Sequence, residues 1–224
     1  MLRGPNLWSR HTALEAIVSC DETERSIDSI PQFEIKIRER FPQLGSMRRG
    51  GHNEILSLAH ALEHAALGLQ SQAGCPVTFS RTVQTIEVGV YQVVVEYTEE
   101  VVGRMAFDFA FGLIQATLND APFDLAAALS ELEALYEDVR LGPSTGSIVD
   151  AAVQRNIPYR RMTEGSMVQF GWGSKQKRIQ AAETSDTSAI AEAIAQDKEL
   201  TKNLLAAAGV SVPIGEVVTT ADDA

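Results

Sequence analysis

The sequence predicts an α+β protein in which helices pack on a small, mostly antiparallel sheet, followed by a second α/β portion. Three observations carry that prediction. The run "VQTIEVGVYQVVVEYTEE" is dominated by Val and Tyr, residues that suit a pleated, half-buried surface. The segments "LAHALEHAALGLQ", "VVGRMAFDFAFGLIQATL" and "FDLAAALSELEALYEDVR" repeat apolar residues at helical spacing. Between these and the rest of the chain, "LGPSTGS" breaks the pattern, which divides the chain into 1–141 and 142–224.

Taken in order, "ALEAIVSC" suits a strand or a short helix, and "IPQFEIKIRERFPQL" a helix that stops before Pro42. "SMRRGGHN" is a loop, with two glycines beside basic residues. A helix from about Glu54 to Gln70 follows, with Asn53 as its N-cap and Gly74 as its stop signal. The Val/Tyr run, with Gly89 in the middle, makes one or two strands, "YQVVVEY" being the core of the second. The apolar helix after it ends at Asn119, Asp120 and Pro122. The next helix sets Leu125, Leu129, Leu132, Leu135 and Tyr136 on one face. Beyond the break, "SIVDAAVQRN" reads as a helix and "IPYRRM" as a strand. "SMVQFGWGSKQKRI" reads as a hairpin turning at Gly171-Trp172-Gly173, and "DTSAIAEAIAQDKELTKNLLAAAG" as two helical pieces before a strand approach in "VSVPIGEVV". The chain stops at "TTADDA" without an element that closes a fold, so the second portion is expected to be incomplete.

Composition narrows the function. The chain has 224 residues, is 45% hydrophobic and carries a formal net charge of −11. That charge argues against nucleic acid as a partner, since phosphate binding needs basic clusters. No uninterrupted apolar run is long enough to cross a bilayer, and "MLRGPNLWSRH" is no secretory signal. Cys20 and Cys75 read as free thiols of a cytoplasmic chain.

The helix "LAHALEHAALGLQ" carries an unusual stripe. His60, Glu63, His64 and Leu67 share one face, while Ile55, Leu58, Leu62, Ala65, Ala66 and Leu69 share the opposite one. Leu56 and Leu67 bracket the polar trio, so something is expected to cover it. The spacing H-x-x-E-H is the inverted zinc-protease arrangement. Imidazoles at i and i+4 can meet on one ion, and the intervening carboxylate can act as general base on a metal-activated water. The alternative is a polar stripe facing water. A catalytic zinc needs a third ligand. Glu96, Glu99, Glu100, Cys75, Glu131, Glu133 and Glu137 are the candidates. Glu100 is favoured, because it falls on the apolar face of Phe107, Phe111, Ile114 and Leu118, with Glu96 as runner-up. A salt bridge from Glu100 to Arg104, one turn on, is the competing explanation.

A resemblance enters here. "LRGPNLWS", "HALEHAALGLQSQAG", "FSRT", "GVYQVVVEYTEE", "LGPST" and "DKELTKNLLAAAGVSVPIGE" occur in the order found in the cyanophycin synthetase family. The likeness runs through the whole chain. It implies that residues 1–141 form the N-terminal, polymer-binding domain and that 142–224 open an ATP-grasp domain. The ATP-grasp lysines, the magnesium carboxylates and a Mur-ligase-like module would then lie beyond Ala224. ATP and Mg²⁺ would serve only the full-length enzyme, which joins aspartate and arginine into the polymer. Some members are understood to cut the polymer into primers at a metal-dependent site in the N-terminal domain. By that likeness His60 and His64 would bind Zn²⁺ and Glu63 would be the base. Where the family commonly has F-G-R-T-R, this chain has Phe79-Ser80-Arg81-Thr82-Val83. Arg81 is the candidate for holding an aspartate carboxylate of the polymer, with Arg104 as a second. Lys175, Lys177 and Arg178 could touch phosphate or an acidic backbone, or simply be solvated.

Three roles follow as expectations: a zinc-dependent hydrolase site within a polymer synthetase, a module that tethers an Asp/Arg polymer, and a scaffold against the ATP-grasp domain or another subunit. A homo-oligomer is expected, with neither nucleic acid nor membrane as partner. The residues that bind the nucleotide are not identified.

Overall fold

The computed structural model describes residues 1–2, 6–47, 55–181, 183–215 and 218. Strand β1 (Ala13–Ser19), helix α1 (Phe33–Arg40), helix α2 (Leu58–Gln72), strands β2 (Ser80–Gln84) and β3 (Val90–Glu96), and helices α3 (Glu100–Leu118) and α4 (Leu125–Val139) make up the first part. The sheet order is β1-β3-β2, antiparallel throughout. The central strand β3 reads as a nearly continuous apolar run because both of its faces are covered. Tyr91, Val93 and Val95 join the core under the helices, and Val94 on the other face is 0% exposed. The expected break at Gly89 is a turn in which that residue has φ +84°.

Helix α2 runs between the sheet and α3. Leu58, Ala59, Ala61, Leu62, Ala65, Ala66 and Leu69 are all buried, so little of its surface meets water. The small residues permit that crowding. A Cβ added at Gly68 would lie 3.2 Å from the Phe41 ring, and one at Gly103 of α3 would lie 2.7 Å from Cβ of Tyr97. Helix α3 is, by length and composition alone, the one helix among the described residues that could cross a membrane. Here Val102, Ala106, Ala110, Leu113 and Ile114 sit in the core instead, and Arg104 and Asp108 occupy its exposed side. Helix α4 presents the expected stripe: Leu132 is fully buried, and Leu125, Leu129, Leu135 and Tyr136 pack beside it.

The second part comprises α5 (Pro143–Gln154), β4 (Tyr159–Arg161), β5 (Met167–Phe170), β6 (Lys177–Gln180), β7 (Glu183–Thr184), α6 (Ala189–Gln196) and α7 (Lys198–Ala207). Its four strands form an antiparallel sheet in sequential order. The β5–β6 hairpin turns where expected, with Gly171 and Gly173 at φ +66° and +61°. Lys177 of that hairpin pairs with Asp186 at 2.6 Å. A separate small core gathers Val149, Val168 and Ile179.

Three boundaries differ from expectation. Helix α2 begins at Leu58 rather than Glu54, with Ser57 as N-cap; Asn53 and Glu54 lie outside the described residues. Residues 56–58 are pinned from outside, because Ile27 N–H donates to Leu56 O at 2.7 Å and Leu58 N–H to Glu24 O at 2.9 Å. "LGPSTGS" is mostly helix: Gly142 caps α5 and Pro143 takes its first position, where no backbone N–H is needed. Residues 211–215 carry no strand.

Candidate functional site

The site is built at the first turn of α2. Ser57 and His60 form a capping box, with His60 in the place usually held by Glu or Gln. The Ser57 N–H donates to Nδ1 of His60 at 3.1 Å, and the Ser57 hydroxyl lies 2.9 Å from the same nitrogen. The ring is further fixed by Tyr91 of β3, which meets it edge-on, with centroids 5.7 Å apart and planes at 72°. Glu63 and His64 follow one turn on, as the spacing requires.

These side chains open onto a cavity of about 210 Å³ lined by Met47, Leu56, His60, Glu63, His64, Arg81 and Thr82. The expectation that something covers the stripe holds: Glu63 is only 2% exposed. Strand β2 supplies the opposite wall. Thr82 faces α2 and its hydroxyl reaches Ala59 O at 3.5 Å, while Arg81, next in line, has its guanidinium over the Trp8 ring at 5.7 Å from the centroid. Thus four of the residues singled out in the sequence, His60, Glu63, His64 and Arg81, stand around one cavity.

The remaining candidates stand elsewhere. Glu100 is half-exposed at the start of α3, where its carboxylate takes Nε and Nη2 of Arg104 at 3.0 and 2.9 Å. That is the salt bridge the sequence offered as the competing explanation, and it also occupies Arg104. Glu96 is buried, but its carboxylate accepts the N–H groups of Thr78 and Phe79 at 2.8 and 2.7 Å and pairs with Nδ1 of His11 at 3.2 Å. Its apolar strand position is therefore satisfied by backbone donors and a histidine. Glu99 pairs with Arg161 at 2.8 Å; burial raises its carboxyl above the usual range, against the lowering effect of Arg161. Cys75 is a buried thiol whose pKa burial pushes up to about 11, which keeps it protonated and a poor ligand. Glu131, Glu133 and Glu137 lie on the exposed side of α4. None of these lines the cavity, so none is retained as a third ligand.

The donor set bears on zinc. Two imidazoles and a carboxylate on one cavity wall suit it, and the Ser57 hydroxyl can accept an Nδ1–H from His60 and so leave Nε2 free to bind. The Ser57 N–H at 3.1 Å favours the other tautomer, with the proton on Nε2. Among the described residues no group of three His, Cys, Asp or Glu could hold a metal ion. The donor types suit zinc, but the described residues do not gather three of them around one point.

Sequence reasoning missed Ser57 and Thr82 as parts of this site, and Trp8 as a neighbour of Arg81. Ser57 could have been found: S-x-x-H at 57–60 has capping-box spacing. Trp8 could not, because only the register of the sheet brings it to Arg81.

Residues 16–119 match the model of the cyanophycin synthase-like N-terminal domain. Cyanophycin synthetase of Trichormus variabilis is 37% identical over 237 residues, covering 99% of this chain and 26% of that protein. Those of Geminocystis herdmanii and Synechocystis sp. are 37% and 36% identical, each over 99% of this chain and 27% of the relative. The chain therefore spans about a quarter of the length of these relatives. Residues 16–119, which hold α2, β2 and the cavity between them, thus belong to the family of cyanophycin synthase-like N-terminal domains, and the chain around them is a relative of the cyanophycin synthetases.

Proposed function

We propose that this chain is the N-terminal part of an ATP-dependent cyanophycin synthetase, and that the α2–β2 cavity cuts the polymer into short primers by metal-dependent hydrolysis. In this reading residues 1–141 are the polymer-binding domain and 142–224 begin the ATP-grasp domain. ATP, Mg²⁺, aspartate and arginine belong to the full-length enzyme, a cytoplasmic homo-oligomer. The observation that carries the cutting activity is the convergence of His60, Glu63, His64 and Arg81 on one cavity.

Each residue has a task that its surroundings support. His60 and His64 would hold the cation. The chemistry that a zinc ion would supply there is an acidified water and a polarised carbonyl. Glu63, almost wholly shielded from solvent, takes the proton as general base. Ser57 orients the His60 ring through Nδ1. Arg81 receives a carboxylate of the polymer, for which a guanidinium offers two parallel donors. Arg104, tied to Glu100, contributes to polymer contact outside the cavity.

The test is incubation of the chain with cyanophycin, with and without a chelator, followed by measurement of polymer length. Wild type shortens the polymer, the chelator stops it, and Glu63→Gln slows cleavage by roughly 10²–10⁴-fold, the usual contribution of a general base. Polymer that stays intact yet bound supports a second reading, a tethering module with a structural histidine stripe. The position of the Ser57 N–H against Nδ1 of His60 is the observation that favours that alternative.

A further inference from the structure

We infer that the outer edge of β2, at Thr82 and Gln84, is a main-chain docking strip: an extended peptide adds there as a further strand of the first sheet and so lies along the mouth of the α2 cavity. The inference rests on the proposed function for its ligand and adds how that ligand is held.

The register fixes which backbone groups are available. Strand β2 ends the sheet, with β3 on one side only. The Glu96 N–H donates to Phe79 O at 2.9 Å, and the Thr85 N–H to Val90 O at 2.8 Å. Bonding alternates along an antiparallel pair, so Arg81 and Val83 share that phase and bond to β3. The N–H and C=O groups of Thr82 and Gln84 therefore point away from the sheet. Among the described residues nothing pairs with them. Such a row of main-chain donors and acceptors is what an added strand takes up.

The same stretch borders the cavity. Helix α2 runs against β2 in the opposite sense: His60 meets Tyr91, the β3 partner of Gln84, and Gln70 donates to Glu96 O at 2.9 Å. Thr82 lies between those ends, with its hydroxyl 3.5 Å from Ala59 O, and shares the cavity wall with Glu63 and His64. Side chains alternate along β2, so Thr82 faces α2 while the Arg81 side chain lies on the other face, over Trp8. The histidines and the Arg81 guanidinium thus stand on opposite sides of one strand edge. A compact ligand in the cavity reaches only the histidines. A strand laid along the edge reaches both, because its own side chains alternate: one set enters the cavity, and the other passes Arg81. An Asp/Arg polymer carries carboxylates for that guanidinium. Main-chain bonds to Thr82 and Gln84 would hold the polymer in register, and the register sets which peptide group comes to Glu63.

Amide hydrogen exchange in β2 tests this, in the whole chain carrying Glu63→Gln so that bound polymer stays intact. Without ligand, the Thr82 and Gln84 amides should exchange fast and those of Arg81 and Val83 slowly, since only the latter bond to β3. Soluble cyanophycin at about ten times its Kd should slow Thr82 and Gln84 roughly tenfold and leave Arg81 and Val83 unchanged. Thr82→Pro removes the outward N–H and fills the edge without taking a bond from β3, a position where strands accept proline. It should weaken binding roughly two- to tenfold. Thr82→Val keeps the main chain and drops the hydroxyl, and should bind within about twofold of the parent chain. Thr82 and Gln84 amides that stay fast with polymer bound, amides already protected without it, or Thr82→Val as weak as Thr82→Pro each overturn the inference and leave the proposed function standing. A parent chain that binds no cyanophycin refutes the proposed function itself, and the docking strip with it.

Discussion

From Ala13 to Val139 the chain buries Phe33, Leu69, Val93, Leu113 and Leu132 in one continuous cluster. From Pro143 to Ala207 the small core is Val149, Val168 and Ile179, and α6 and α7 bury no residue at all. The first region has two layers, a sheet and helices, each able to cover the other. The second has a sheet with one helix against it, and it leans on the first. Arg161 of β4 pairs with Glu99 and also donates to Val139 O, linking the second sheet to both ends of the α3–α4 pair. The candidate site lies wholly in the well-packed region. A site that must hold three side chains in register needs walls that do not shift, and α2 has such walls on almost every side.

The largest effect separating the regions should come from their cores. Leu69→Ala empties a position that is fully enclosed between α2 and its neighbours, and should cost about 2–5 kcal/mol. Urea denaturation reads the loss, and native-state hydrogen exchange localises it to α2 and β3. If the amides of α6 and α7 lost protection equally, the two regions would unfold as a single unit and the contrast would fail.

A smaller effect comes from Cys75, just past the end of α2. Burial disfavours its thiolate and pushes the thiol's pKa up to about 11, above that of a free thiol. The folded pKa lies above the unfolded one, so the stabilising contribution is complete below pH 9 and is lost as pH rises towards 11. The expected decline is on the order of 1–3 kcal/mol. Cys75→Ser should flatten that part of the stability–pH curve, whereas an identical slope in wild type and variant would assign the decline to other groups. At pH 8 the native thiol should react with iodoacetamide far more slowly than the same thiol in urea.

Legibility in the sequence followed the range of the interactions. Helix α3 and strand β3 were readable because one period or one residue class dominates each. His60, Glu63 and His64 were readable as a unit because a single helix fixes their relation whatever surrounds it. The start of α2 was not, since Asn53 is as good a cap by type as Ser57, and the choice is made by backbone bonds to Glu24 and Ile27. The surroundings of the third-ligand candidates were hidden for a related reason. Glu96 and Glu100 were suspected because a carboxylate on an apolar stretch needs a partner, and that reasoning was sound. The partners are Thr78, Phe79 and His11 for one and Arg104 for the other, and only the first set depends on tertiary contact. Arg81 was found by type, but its place beside the histidines and over Trp8 depends on strand register.

The smallest effect should be found on α7. Leu204 is 47% exposed, and its helix buries no side chain. Truncation to alanine removes few contacts and leaves no enclosed cavity, while alanine is slightly the better helix former. Leu204→Ala should therefore change stability by less than about 0.5 kcal/mol in the same urea experiment. Set beside Leu69→Ala, the same chemical change at two positions measures how unequally the two regions are packed. A loss above about 1 kcal/mol at Leu204 would mean that α7 docks on a surface in solution, and the second region would then have more of a core than Val149, Val168 and Ile179 provide.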